Sequence, residues 1–278
     1  MINNVRQGSK MKNYKRRRKA RYWGVLTIRA VMILFVLYVL YLFAVYIGSQ
    51  NNENKEKSDI CDSKTIEPEQ KTFDTSGCPD ELLELLQKNP ETKEFVLNYP
   101  LKKDTYSREK IKELKKNEIP LLMQWDERWG YYQYGDNVMG LTGCGPTCLS
   151  MVASSLFQNP EMTPIYMADY ATRNGYCVPG SGTSWEFMSK GAMGLGLQVW
   201  EVPLSESRVK EYLRQGNPII CIMGPGKFTD NGHFIVLTGL ENGKIKINDP
   251  NSKERSNQLW EFEEIKSQIR NMWVYFKA

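Results

Sequence analysis

From residue 30 to residue 47 the chain reads AVMILFVLYVLYLFAVYI, eighteen positions without a charged side chain. As a helix rising about 1.5 Å per residue the run covers ~27 Å, close to the ~30 Å hydrocarbon core of a bilayer. It is apolar around its whole circumference, which a helix packed against one soluble core does not need. It exceeds a signal-peptide apolar region, and no small-x-small cleavage pattern follows it. One transmembrane helix is expected over residues 25–48.

The pattern then changes abruptly. Residues 49–78 are polar and poor in apolar positions, the composition of an extracellular linker. Its two cysteines, Cys61 and Cys78, could pair in an oxidising compartment. Over residues 79–117 leucines cluster at Leu82, Leu83, Leu85 and Leu86, and Phe95, Val96 and Leu97 follow beyond Pro90. Two short helices packing on a main domain are expected, followed by SREKIKELKKNEIP as a charged connector of helical character.

From residue 118 to 278 the periodicity is mixed. LTGCGPTCLSMVASSLF places Leu149, Val152, Ala153 and Leu156 at helical spacing. NPIICIMG, GHFIVLTG and GKIKIND are short β-branched runs punctuated by glycine. In the last run Ile245, Ile247 and Asp249 share one face, so an acid closes an apolar stripe. A five-residue loop from Gly239 to Gly243 would set Thr238 opposite Lys244, Ile235 opposite Ile247 and His233 opposite Asp249. A two-residue Asn242-Gly243 turn loses that match, so the longer loop is expected.

Charge sharpens the topology. Residues 1–29 hold ten of the chain's 37 Lys and Arg and none of its 32 acids, so the net +5 conceals a basic tail ahead of a mildly acidic body. Residues 1–24 therefore read as a cytoplasmic tail whose charge sets orientation, with everything beyond residue 48 outside the cytoplasmic membrane. Topogenic charge accounts for the tail, and no nucleic acid or partner protein is implied.

The candidate chemistry centres on GCGPTC. Pro146 suits the first turn of a helix, which places Cys144 at the amino end, where unpaired N–H groups and the helix dipole favour a thiolate. His233 is the chain's one histidine, at the mouth of a strand, and suits the general base and acid. Asp249 suits the orienter of its ring. Gln124, in QWDERWG, is the candidate oxyanion donor beside the Cys144 backbone N–H. A zinc set of Cys144, Cys148, His233 and Asp249 is the weaker reading, because no CxxC pair is present. In GTSWE a capping box is expected, with Thr183 capping and Glu186 reaching back.

QWDERWG, GCGPTC heading a helix, GHFIVLTG and NDP, in that order, resemble the papain-like cysteine peptidases related to the bacteriocin-leader, or double-glycine, peptidases. Membrane-anchored members from Gram-positive bacteria are the nearest in character. The resemblance implies an α+β papain-like fold, in which the helix carrying the nucleophile packs on an antiparallel sheet. It also implies catalytic roles for Gln124, Cys144, His233 and Asp249, with a polypeptide substrate and no metal or organic cofactor. No transporter accompanies the domain here, so double-glycine leader specificity does not carry over. A cell-wall amidase or acyltransferase using the same triad, or a non-catalytic binding module, are the alternative readings.

Overall fold

The run NPIICIMG forms a strand buried at every position, β2 (Ile219–Met223), because it lies inside a six-stranded sheet with layers on both faces. The computed structural model describes residues 75–277 and Tyr38. The chain divides into units of residues 1–72 and 73–278, and the helix expected at 25–48 lies, Tyr38 apart, outside the described residues. Among the described residues no helix is long and apolar enough to cross a membrane.

With β1 (Gln198–Glu201), β3 (His233–Glu241), β4 (Lys244–Asn248), β5 (Leu259–Trp260) and β6 (Ile269–Phe276), the sheet order is β1-β6-β2-β3-β4-β5. Every neighbouring pair is antiparallel. Alternation along the strands sends Ile220, Ile222, Phe234, Val236, Trp273 and Tyr275 into one core. Ile219, Cys221, Ile235, Leu237, Ile247 and Val274 enter the other. The first core is covered by α3 (Cys144–Phe157) and α4 (Pro164–Arg173), the second by α5 (Glu206–Arg214). The architecture is α+β, with the cysteine-bearing helix against an antiparallel sheet.

Helix α3 is buried from Gly145 to Ser155, so its axis is held by apolar contact along nearly its whole length. Its first turn is packed most tightly. A Cβ on Gly145 would lie 2.7 Å from the Thr183 side chain, so only glycine lets that neighbouring turn come so close. The capping box expected in GTSWE does not form. Thr183 instead meets the Tyr134 hydroxyl at 2.8 Å, and Ser184 Oγ accepts from the Glu186 N–H.

Upstream, α1 (Asp80–Lys88) and α2 (Lys93–Lys102) flank a 3-10 turn at Pro90–Thr92. Leu82, Phe95 and Val96 join Met123, Trp125, Tyr131 and Val138 in a third core. Phe95 stacks on Tyr131 at 4.6 Å and fills the space over Gly140, where a Cβ would lie 2.3 Å from its ring. The connector after α2 is not helical: residues 105–120 run as coil, turns and bends. Tertiary bonds override helix propensity there. The Ser107 N–H donates to Arg128 O at 2.7 Å, the Ile111 N–H to Pro160 O at 2.9 Å, and the Ile111 side chain is buried in the α3 core.

The β3–β4 register also differs from expectation. Asn242 and Gly243 take positive φ of 51° and 79° and make the two-residue turn, pairing Glu241 with Lys244. A bulge at Thr238 absorbs one residue, so Leu237 faces Ile247 and Val236 faces Asn248. Extending that register sets Ile235 against Asp249 and leaves His233 its diagonal neighbour.

Replacing Phe95 with alanine should empty the space over Gly130 and Gly140 and cost about 3–5 kcal/mol. Urea unfolding of the full-length chain, followed by tryptophan fluorescence, measures that loss.

Candidate active site

Cys144 opens α3 and is partly exposed, while the helix behind it is buried. His233 opens β3, and the packing of α3 on that strand brings the two ends together. The His233 ring and the backbone N–H groups of Phe234 and Gly145 favour the charged form of the sulfur.

On the other side of the ring, His233 Nε2 lies 2.7 Å from Asp249 Oδ1. That leaves Nδ1 to face the sulfur. A diagonal pair across two strands has Cα atoms about 7–8 Å apart, which a histidine and an aspartate can bridge. The bulge therefore alters which residues are paired without separating the two side chains.

Asp249 has no solvent exposure, and a buried carboxylate needs more than one donor. Arg255 Nε donates to its Oδ2 at 2.6 Å and the Asn251 N–H to its Oδ1 at 2.8 Å. The Asp249 backbone N–H donates to Ser256 Oγ at 2.9 Å. Arg255 lies on α6 (Lys253–Ser256), a single turn just beyond the strand.

The protonation states follow from these contacts. Burial disfavours the charged form of the Asp249 carboxyl, but His233 and Arg255 outweigh it and hold its pKa below the ordinary value. Burial likewise favours a neutral His233, yet the Asp249 charge, its hydrogen bond and Cys144 raise the ring to about 10. Burial would raise the Cys144 thiol, and the hydrogen bond and charge of His233 reverse that and lower it. Cys148 and Cys221, buried without such a partner, are pushed up. These directions favour a thiolate beside an imidazolium, the pairing a thiol nucleophile and its proton donor require.

Residues 116–278 match the profile of the Peptidase_C39 like family. The chain belongs to this family. Two solved structures are similar to it: the peptidase domain of Streptococcus ComA, a bi-functional ABC transporter involved in a quorum sensing pathway, and a putative C39-like peptidase from Bacillus anthracis. The first is 19% identical over 49% of this chain and 93% of its own, with a TM-score of 0.39. The second is 16% identical over 61% of this chain and 98% of its own, with a TM-score of 0.36. No curated protein matches the chain.

Gln124, the remaining predicted site residue of this C39-like chain, is buried and bonds both the short helical turn Met139–Thr142 before α3 and the loop after β4. Its backbone N–H donates to Pro250 O at 2.7 Å, and its Nε2 donates to Gly140 O at 2.8 Å with a longer contact to Leu141 O at 3.4 Å. One amide hydrogen is thus committed and the second only weakly held, while Oε1 is buried without a partner. Among the described residues no cluster of three or more His, Cys, Asp or Glu is placed to hold a metal ion.

Sequence reasoning missed Arg255 and the backbone donors around Asp249. The available signal was Asp249 itself: a carboxylate closing an apolar stripe is buried and needs a cation, and NDPNSKER offers Arg255 within one short loop.

With the thiol lowered and the imidazole raised to about 10, alkylation of Cys144 by iodoacetamide should proceed at pH values where ordinary thiols are protonated. Turnover should fall again as pH passes through about 10 and the imidazolium loses its proton. In His233→Ala the largest influence opposing burial of the thiol is lost and only the backbone N–H groups remain, so the labelling rate at neutral pH should drop by about tenfold, the effect of one pKa unit. Mass-spectrometric mapping of the labelled cysteines against pH checks all three expectations.

Proposed function

We propose that the chain is a membrane-anchored cysteine peptidase that hydrolyses peptide bonds of extracellular or cell-surface polypeptides. The observation that carries this reading is the placement of Cys144 and His233 at the starts of two elements that pack together, with His233 bonded to Asp249 at 2.7 Å in a buried setting.

In the reaction the Cys144 thiolate attacks the scissile carbonyl carbon, and the C=O electron pair moves to oxygen. The oxyanion is stabilised by the Cys144 backbone N–H and the loosely held hydrogen of Gln124 Nε2. Collapse expels the amine, which takes the Nδ1 proton of the imidazolium and leaves a thioester. The neutral imidazole then takes a proton from water as its oxygen attacks the thioester, and the thiolate departs as the acid forms. Asp249 holds the ring through both steps and stabilises it when charged, without itself being protonated. The anchor and the outward orientation rest on the apolar run at residues 30–47 and the basic tail before it.

Full-length protein in detergent, incubated with a mixed peptide library, should generate new peptide termini by mass spectrometry. Cys144→Ala should reduce their formation by about 10³-fold or more. Cleavage that survives the substitution would overturn the assignment. For orientation, Leu101→Cys places a thiol at an 86% exposed position, and a membrane-impermeant maleimide should label it on intact cells. Labelling that requires lysis would place the domain inside.

A further inference from the structure

The two hands that hold Asp249 both trace back to one turn upstream of the residues that match the family. On one side Glu91 Oε1 accepts from Ser252 Oγ at 2.7 Å and from the Glu254 N–H at 3.3 Å, while Oε2 accepts from the Lys253 N–H at 2.9 Å. Ser252 Oγ in turn accepts the Arg255 N–H at 3.1 Å, and Arg255 Nε reaches Asp249 Oδ2 at 2.6 Å. On the other side Asn89 Nδ2 donates to Asn251 O, which also receives Trp125 Nε1 at 3.1 Å, and the Asn251 N–H donates to Asp249 Oδ1. Glu91 and Asn89 belong to the same 3-10 turn and its cap, tied by the Glu91 N–H to Asn89 Oδ1 bond at 3.1 Å and by buried Thr92 to Asn89 O at 2.7 Å.

We propose that Glu91 is a positioning residue for Asp249: its carboxylate clamps the loop Ser252–Glu254 so that Arg255 holds the aspartate against the His233 ring. This deepens the peptidase reading and rests on it. Glu91 faces two backbone amides and a hydroxyl, donors whose directions are fixed by the loop. Such charge-assisted bonds define geometry in a way that a swinging surface ion pair does not. The ionisable groups facing this centre are Cys144, His233, Asp249, Arg255 and Tyr134, with Cys148 behind them in α3. If the clamp opens, Arg255 and Asn251 loosen, Asp249 turns from the ring, and the imidazolium loses stabilisation. The thiolate of Cys144 then forms only at higher pH.

The test follows iodoacetamide labelling of Cys144 against pH in the full-length chain, for wild type, Glu91→Ala, Glu91→Gln and Leu213→Ala, with a thermal melt of each. Leu213 is buried on α5 in the other core and reports destabilisation alone. Glu91→Ala should raise the pH midpoint by about one unit, slowing labelling at pH 6.5 by about tenfold. Glu91→Gln, which keeps one acceptor, should fall between. Leu213→Ala should lower Tm and leave the midpoint in place. A wild-type midpoint in Glu91→Ala, or an equal shift in Leu213→Ala, would overturn the proposal. A wild-type protein without a lowered midpoint would remove the peptidase reading itself, and Glu91 with it.

Discussion

A fully buried carboxylate is the constraint on which the site depends. Withdrawing Asp249 from water costs several kcal/mol unless donors replace the lost hydration, and here a ring nitrogen, a guanidinium and a backbone N–H share its two oxygens. That satisfaction fixes the loop after β4, because Asn251, Ser252 and Arg255 can reach their partners only if the chain turns at once into α6. It also fixes His233, whose ring is held from one side by the carboxylate and is thereby aimed at α3 with the other. The same loop presents Pro250 O to the Gln124 backbone, so the candidate oxyanion donor is registered against the aspartate as well.

Charge compensation, together with its partial exposure, separates Cys144 from the two buried thiols. Cys148 lies one turn further along the same helix and Cys221 on the central strand; burial raises both, and for Cys148 the charges of Cys144 and Asp249 add to it. Cys144 meets the same penalty but sits at the end of the helix, where His233 and two backbone N–H groups oppose it. The difference is one of position along α3. Burial of that helix from Gly145 onward leaves its first residue little freedom to drift from the imidazole.

How far the sequence revealed this depends on whether each feature is local. The glycines around Cys144, the proline in the first turn and the stripe Ile245, Ile247, Asp249 are set by neighbouring residues, and helix, strand and buried acid could be read from them. The β3–β4 register could not, because two choices compensate: the Asn242-Gly243 turn shortens the loop and the Thr238 bulge restores reach by one residue. The connector after α2 was misread for a related reason. Its helical spacing of charged residues is real, but Ser107 and Ile111 bond to Arg128 and Pro160, partners invisible to a local pattern. Arg255 was inferable from the need of Asp249, whereas Glu91 lies 162 positions from the Lys253 amide that it caps, a separation no spacing rule spans.

That separation bears on what counts as the domain. The family match begins at residue 116, yet the compact unit begins near residue 73, and the difference is structural material rather than a tether. Phe95 fills the space over Gly140, whose carbonyl holds the Gln124 amide, while Glu91 and Asn89 hold the loop of Asp249. One upstream segment therefore packs against both the Gln124 side and the Asp249 side of the candidate site. Such a segment cannot be exchanged as a passive linker, because the geometry it supports is internal to the site.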